Sequence, residues 1–120
     1  MSDRTEPHTP TGSVVWDREA MLDLLMGDED LARSILDGFL EDIPQRLEML
    51  REGLERGDLA EAGLQAHTVK GAALSVGAEA LRAAAFEVER AARAGDAAAA
   101  RDRLGEVLRQ YGLLEERIRP

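Results

Sequence analysis

The chain of 120 residues has no cysteine, which excludes disulfides and thiolate metal sites. It has two histidines, His8 and His67, too few for a multi-histidine metal centre. No apolar run approaches the roughly 18 residues of a membrane span. No apolar h-region opens the chain, so no secretory leader is expected and the expected compartment is the cytoplasm. Basic residues are outnumbered, 15 against 24 acidic, for a net charge of −9. A surface that acidic repels phosphate backbones and anionic lipid, so neither a nucleic acid nor a membrane is an expected partner. Only four residues are aromatic. Phosphate-cradling G-x-x-x-x-G-K-S/T loops, kinase Gly-rich loops and G-x-S-x-G elbows are missing too, which argues against an enzyme.

What is present points to helices. Nineteen residues are Ala, the best helix former, while strands prefer aromatic and β-branched side chains. Residues 1–13 are polar, carry Pro7, Pro10 and Gly12, and read as a disordered tail or linker containing His8. Residues 14–120 form the expected domain. Gly27-Asp28, Gly57-Asp58 and Gly95-Asp96 each close one apolar-periodic run and open the next, glycine as a left-handed stop and aspartate as the following cap. Gly77 is a fourth break. The expected helices span about 17–26, 28–56, 58–76, 78–94 and 96–117. Pro44 should kink the second without ending it, since Phe39, Leu40, Ile43, Leu47, Leu50 and Leu54 keep helical spacing across it. Short joints make neighbouring helices antiparallel. The expected fold is all-α: an antiparallel up-down-up-down four-helix bundle with a short N-terminal cap helix.

On a helical wheel of residues 58–76, Leu59, Ala62, Ala66, Val69, Ala73 and Val76 form the core stripe. His67 projects from the opposite side. Around it lie Ala60, Gly63, Leu64, Lys70, Gly71 and Leu74, an outer face that is small or apolar apart from the only lysine of the chain. Interior glycines cost about 1 kcal/mol each relative to Ala, so Gly63 and Gly71 suggest clearance or close approach. An ordinary imidazole is largely neutral near pH 7 and can act as a nucleophile. Lys70, at i+3, can balance the charge of a phosphoryl group on the ring. No carboxylate falls within about 60° of His67 on the wheel, so none is expected beside the ring as a base to activate water; Thr68 lies about 100° away, so a catalytic triad is not expected. An ordinary solvated His–Lys pair is the competing reading.

The stretch from Ala66 to Asp96, AHTVKGAALSVGAEALRAAAFEVERAARAGD, resembles the histidine-containing phosphotransfer (HPt) domains of multistep phosphorelays. Ala66, His67, Val69, Lys70, Gly71, Gly77, Ala78, Leu81, Val88, Glu89, Arg93, Gly95 and Asp96 fit that family's register, and the resemblance covers roughly residues 15–112. It implies a phosphoryl carrier. His67 would be the phosphoacceptor at Nε2, Lys70 would stabilise the phosphoryl group, Gly71 would leave room for a receiver, and Gly77 would make the turn. Magnesium and the acidic pocket would belong to the receiver, so no cofactor is expected on this chain. Expected partners are response-regulator receiver domains and a hybrid sensor histidine kinase, met by a monomer. Docking is expected through Ala60, Leu64 and Leu74, with Met21, Leu24 and Leu25 of the first helix alongside. Phe86 departs from an often polar position and either packs under a neighbouring helix or extends that patch. The alternative function is a non-phosphorylated adaptor bundle that docks a signalling protein.

Overall fold

The computed structural model describes residues 14–119; the expected tail at 1–13, with His8, lies outside the described residues. Five helices follow in order: α1 (Arg18–Leu24), α2 (Glu29–Glu55), α3 (Leu59–Val76), α4 (Glu79–Arg93) and α5 (Ala97–Ile118). The Gly-Asp signals work as expected. Gly27, Gly57, Gly77 and Gly95 all take positive φ. At two joints the aspartate serves both helices. Asp58 N–H donates back to Gly53 O and Asp96 N–H to Ala91 O, closing α2 and α4. The carboxylates of the same residues accept from Glu61 N and Ala99 N, capping α3 and α5. Asp17 and Asp28 cap α1 and α2 in the same way. Helix α2 runs through Pro44 as one element.

Helix α2 packs on α3, α3 on α4, α4 on α5, and α5 returns to α2, closing the four-helix bundle. The apolar faces meet in one core: Leu36, Phe39, Leu40, Ile43, Leu47, Leu50 and Leu54 of α2, the Ala–Val stripe of α3, Leu81, Ala85, Val88 and Ala92 of α4, and Val107, Tyr111 and Leu114 of α5. Alanine dominates the facing stripes of α3 and α4, and small side chains let these backbones approach closely. Among the described residues, no helix is long and apolar enough to cross a membrane.

The segment before α1 straps the turn between α3 and α4. Trp16 Nε1 donates to Val76 O, Asp17 N to Gly77 O, and Ala80 N to Val14 O, each at 2.8 Å. Gly77 therefore has two reasons to be glycine. Its φ is +80°, and a Cβ there would sit 2.5 Å from the Asp17 carbonyl oxygen. The strap delivers α1 to the end of α3 below His67. It also turns Met21 inward: that residue is 1% exposed and belongs to the core, which corrects its expected place on a docking surface.

Candidate functional site

Helix α3 carries His67 on its outer side, with the side chain 54% exposed. The wheel of α3 alone shows no carboxylate near it, but the neighbouring helix supplies one. Glu89 of α4 reaches across so that its Oε2 lies 2.8 Å from His67 Nδ1. The Glu89 side chain is only 4% exposed. Its other contacts are cationic: Lys70 Nζ at 2.8 Å from Oε1 and Arg93 Nη2 at 2.9 Å from Oε2. The expectation that no carboxylate stands beside the histidine is thus corrected. It holds within α3 and fails across the α3–α4 seam. A signal was there to find: on the α4 wheel Glu89 lies about 40° from Ala85, a glutamate at the edge of an otherwise apolar stripe.

Burial raises the Glu89 pKa, but the Lys70 and His67 contacts and the charges of Lys70 and Arg93 outweigh it, so the carboxyl is held below the usual glutamate range. An ionised carboxylate can only accept. The proton in the 2.8 Å contact therefore belongs to His67 Nδ1. That fixes the tautomer and leaves Nε2, which makes no hydrogen bond among the described residues, as the nitrogen with the available lone pair.

Lys70 is engaged as well. Besides Glu89, its ammonium sits 5.3 Å from the centroid of the Phe86 ring, a cation–π distance. Phe86 is 40% exposed, so it is not core; it forms one wall of the site and shields Lys70 from the side. Neither nearby hydroxyl faces the imidazole. Thr68 Oγ1 donates to Leu64 O and Ser75 Oγ to Gly71 O. Among the described residues, no group of three His, Asp or Glu side chains could hold a metal ion.

The two glycines of α3 separate. A Cβ on Gly71 would meet nothing within 4 Å, so this position borders His67 with open space. Gly63 is buried, and a Cβ there would touch Ala92 at 3.7 Å and Arg93 at 3.9 Å. Gly63 thus belongs to the α3–α4 seam and not to the outer face where the wheel put it. The apolar surround of His67 is in place on both sides along α3. Leu64 and Ala60 border a shallow groove with Ala92 and Arg93. Leu74 and Leu24 line a second groove with Val14, Ala20 and Ala78, about 580 Å³ in volume and rimmed by Asp17, Asp23 and Glu79. Leu64 and Leu74 are large, exposed apolar side chains. Leu25 is half-buried against the core and offers only an edge.

The model of one protein family, described as the Hpt domain, matches residues 34–117. The phosphorelay intermediate protein rdeA of Dictyostelium discoideum is 28% identical over 80 residues, 67% of this chain and 32% of that protein, so the chain spans about a third of its length. The crystal structure of histidine-containing phosphotransfer protein B (HptB) from Pseudomonas aeruginosa PAO1 superposes with a TM-score of 0.82 at 26% identity, covering 88% of this chain and 92% of that one.

Proposed function

The chain belongs to the Hpt domain family, and from that premise we propose that it is a phosphoryl carrier of a His–Asp phosphorelay with His67 as the phosphoacceptor. The observation that carries this reading is the clamp on the ring: an exposed imidazole whose Nδ1 is held by a buried carboxylate and whose Nε2 is free to attack. The donor is a receiver aspartyl phosphate or a sensor kinase, and the acceptor is a receiver aspartate. The receiver brings the magnesium and the acidic pocket, and this chain brings a correctly oriented nucleophile. It works as a monomer in the cytoplasm, where receivers reside. Lys70, already beside the ring, turns to the phosphoryl oxygens once they arrive, and Gly71 leaves space for the receiver loop.

The test uses wild type and His67→Gln with a phosphorylated receiver. Wild type is expected to take up acid-labile, base-stable label, and His67→Gln none. Label on His67→Gln, or label on His8, overturns the assignment. An adaptor bundle has no need of the His67–Glu89 clamp; for an adaptor, both proteins would bind the receiver equally and neither would be labelled.

A further inference from the structure

We propose that Phe86 is a positioning residue that parks Lys70 away from the phosphoryl site, so that phosphorylation of His67 must draw the lysine off the Phe86 ring, and the strength of that hold sets how long the phosphoryl group stays. The proposal rests on the carrier reading above. It gives Phe86 a part in the lifetime of the phosphorylated state, beyond walling the site.

Phe86 and Glu89 stand three residues apart on α4, one turn along the same face, and both meet Lys70 of α3. The ammonium lies 5.3 Å from the centroid of the Phe86 ring and 2.8 Å from Glu89 Oε1. Its angles to Oε1 miss those of a hydrogen bond, and Oε1 has no aligned donor among the described residues. Charge and the ring face therefore hold Lys70, with no directional bond to break. The lysine is also covered: its side chain is 25% exposed, against 54% for His67.

The site can spare this lysine. When Lys70 leaves, Glu89 Oε2 keeps His67 Nδ1 at 2.8 Å and Arg93 Nη2 at 2.9 Å, so the buried carboxylate stays paired. The residue type also suits a cation that moves. Fourteen of the fifteen basic residues are Arg, and only this one is Lys. A guanidinium would fork onto the carboxylate and stay, whereas an ammonium is a compact charge on a flexible stem. A phosphoryl group on Nε2 brings about two negative charges beside that stem. A contact made only in the resting state opposes any state that gives it up. Phe86 thus competes with the phosphoryl oxygens for one ammonium. A cation on those oxygens slows phosphoryl loss to water, because charge drains from them toward the leaving ring in a loose, metaphosphate-like transition state. In that loss the N–P electron pair returns to Nε2, and water supplies the fourth oxygen and both protons of the departing dihydrogen phosphate.

The test uses the full chain in a His8→Gln background, with phosphoramidate as the phosphodonor. Because Lys70 is the sole lysine, ¹³C-lysine labelling gives one ε-CH₂ signal. In the free protein that signal is expected upfield, moved there by the Phe86 ring current. Phosphorylation is expected to return it toward its position in Phe86→Leu. Phosphoryl loss from Phe86→Leu should be about two- to fivefold slower than from wild type, the range of an exposed cation–π contact. Phe86→Tyr should restore both the upfield signal and the wild-type rate. In a Lys70→Met background the leucine change should leave the rate alone, which separates the hold on Lys70 from any packing effect. No upfield shift in the free protein, an upfield signal that persists after phosphorylation, equal or faster loss from Phe86→Leu, or the same slowing without Lys70 would overturn the proposal and leave the carrier reading intact. Wild type that takes no label from phosphoramidate also overturns it, and the receiver assay above then decides the carrier reading separately. If Phe86→Leu fails to fold, the wild-type signal before and after phosphorylation decides: no downfield movement sinks the idea.

Discussion

His67 draws its orientation from a residue twenty-two positions later in the chain. A wheel sees only one helix, so it finds Lys70 and Gly71 beside the ring and misses Glu89 across the seam. The same limit misplaced Gly63, which the α4 surface covers. Gly71 was legible because nothing packs over it. It sits at i+4 from His67 on an open face, so two effects of a substitution there move in opposite directions. Replacing a helix-interior glycine stabilises by up to about 1 kcal/mol. A side chain at that spot crowds the imidazole and the approaching receiver. Gly71→Gln should therefore melt at or above the wild-type temperature yet accept phosphoryl groups several-fold more slowly. A thermal melt and a transfer time course on one preparation check it. A destabilised variant, or a stable one with wild-type transfer, would remove the clearance argument.

At the scale of the element, the Gly-Asp joints made the fold readable. Each codes a stop and a start in two residues, and the observed ends fall within two residues of those expected. The strap of residues 14–17 was not readable, because its partners are backbone groups of the distant α3–α4 turn, the carbonyls of Val76 and Gly77 and the N–H of Ala80. That strap makes Gly77 the most constrained glycine among the described residues. Gly77→Ala must hold a Cβ in a left-handed conformation, a cost of about 1–2 kcal/mol, and must also push away the Asp17 carbonyl. A loss of about 2 kcal/mol or more is expected by chemical denaturation. Gly63→Ala, whose Cβ would meet only side-chain atoms at ordinary contact distance, should be neutral or mildly stabilising. Equal behaviour of the two variants would mean that the strap does not bind the turn in solution.

For the whole molecule, acid should act through the carboxylates that the fold holds ionised. Glu89, Glu79, Glu106 and Glu48 all have lowered pKa values. For Glu89 burial opposes the shift, and Lys70, His67 and Arg93 outweigh it; for the other three the leading cause is a hydrogen bond to a nearby arginine. A depressed folded pKa stabilises the fold above the unfolded value, about 4.3 for glutamate, and that stability drains away as pH falls through the folded value. Melting temperature should be flat from about pH 7 to 5 and fall below about 4.3, less steeply in Glu89→Gln. The surface that remains at neutral pH is the docking question, and burial separates its residues. Leu64 and Leu74 are exposed on either side of His67, while Met21 supports α1 from within. Leu64→Asp and Leu74→Asp remove apolar contact without opening the core. Each should keep wild-type helicity and weaken receiver binding about tenfold, about 1.4 kcal/mol. Met21→Asp puts a charge where no partner waits, so it should unfold α1 or the bundle, and any loss of binding would track the loss of structure. Circular dichroism and a receiver titration on the three variants separate these outcomes. Undiminished binding in both leucine variants would move the docking surface away from the two grooves that flank the histidine.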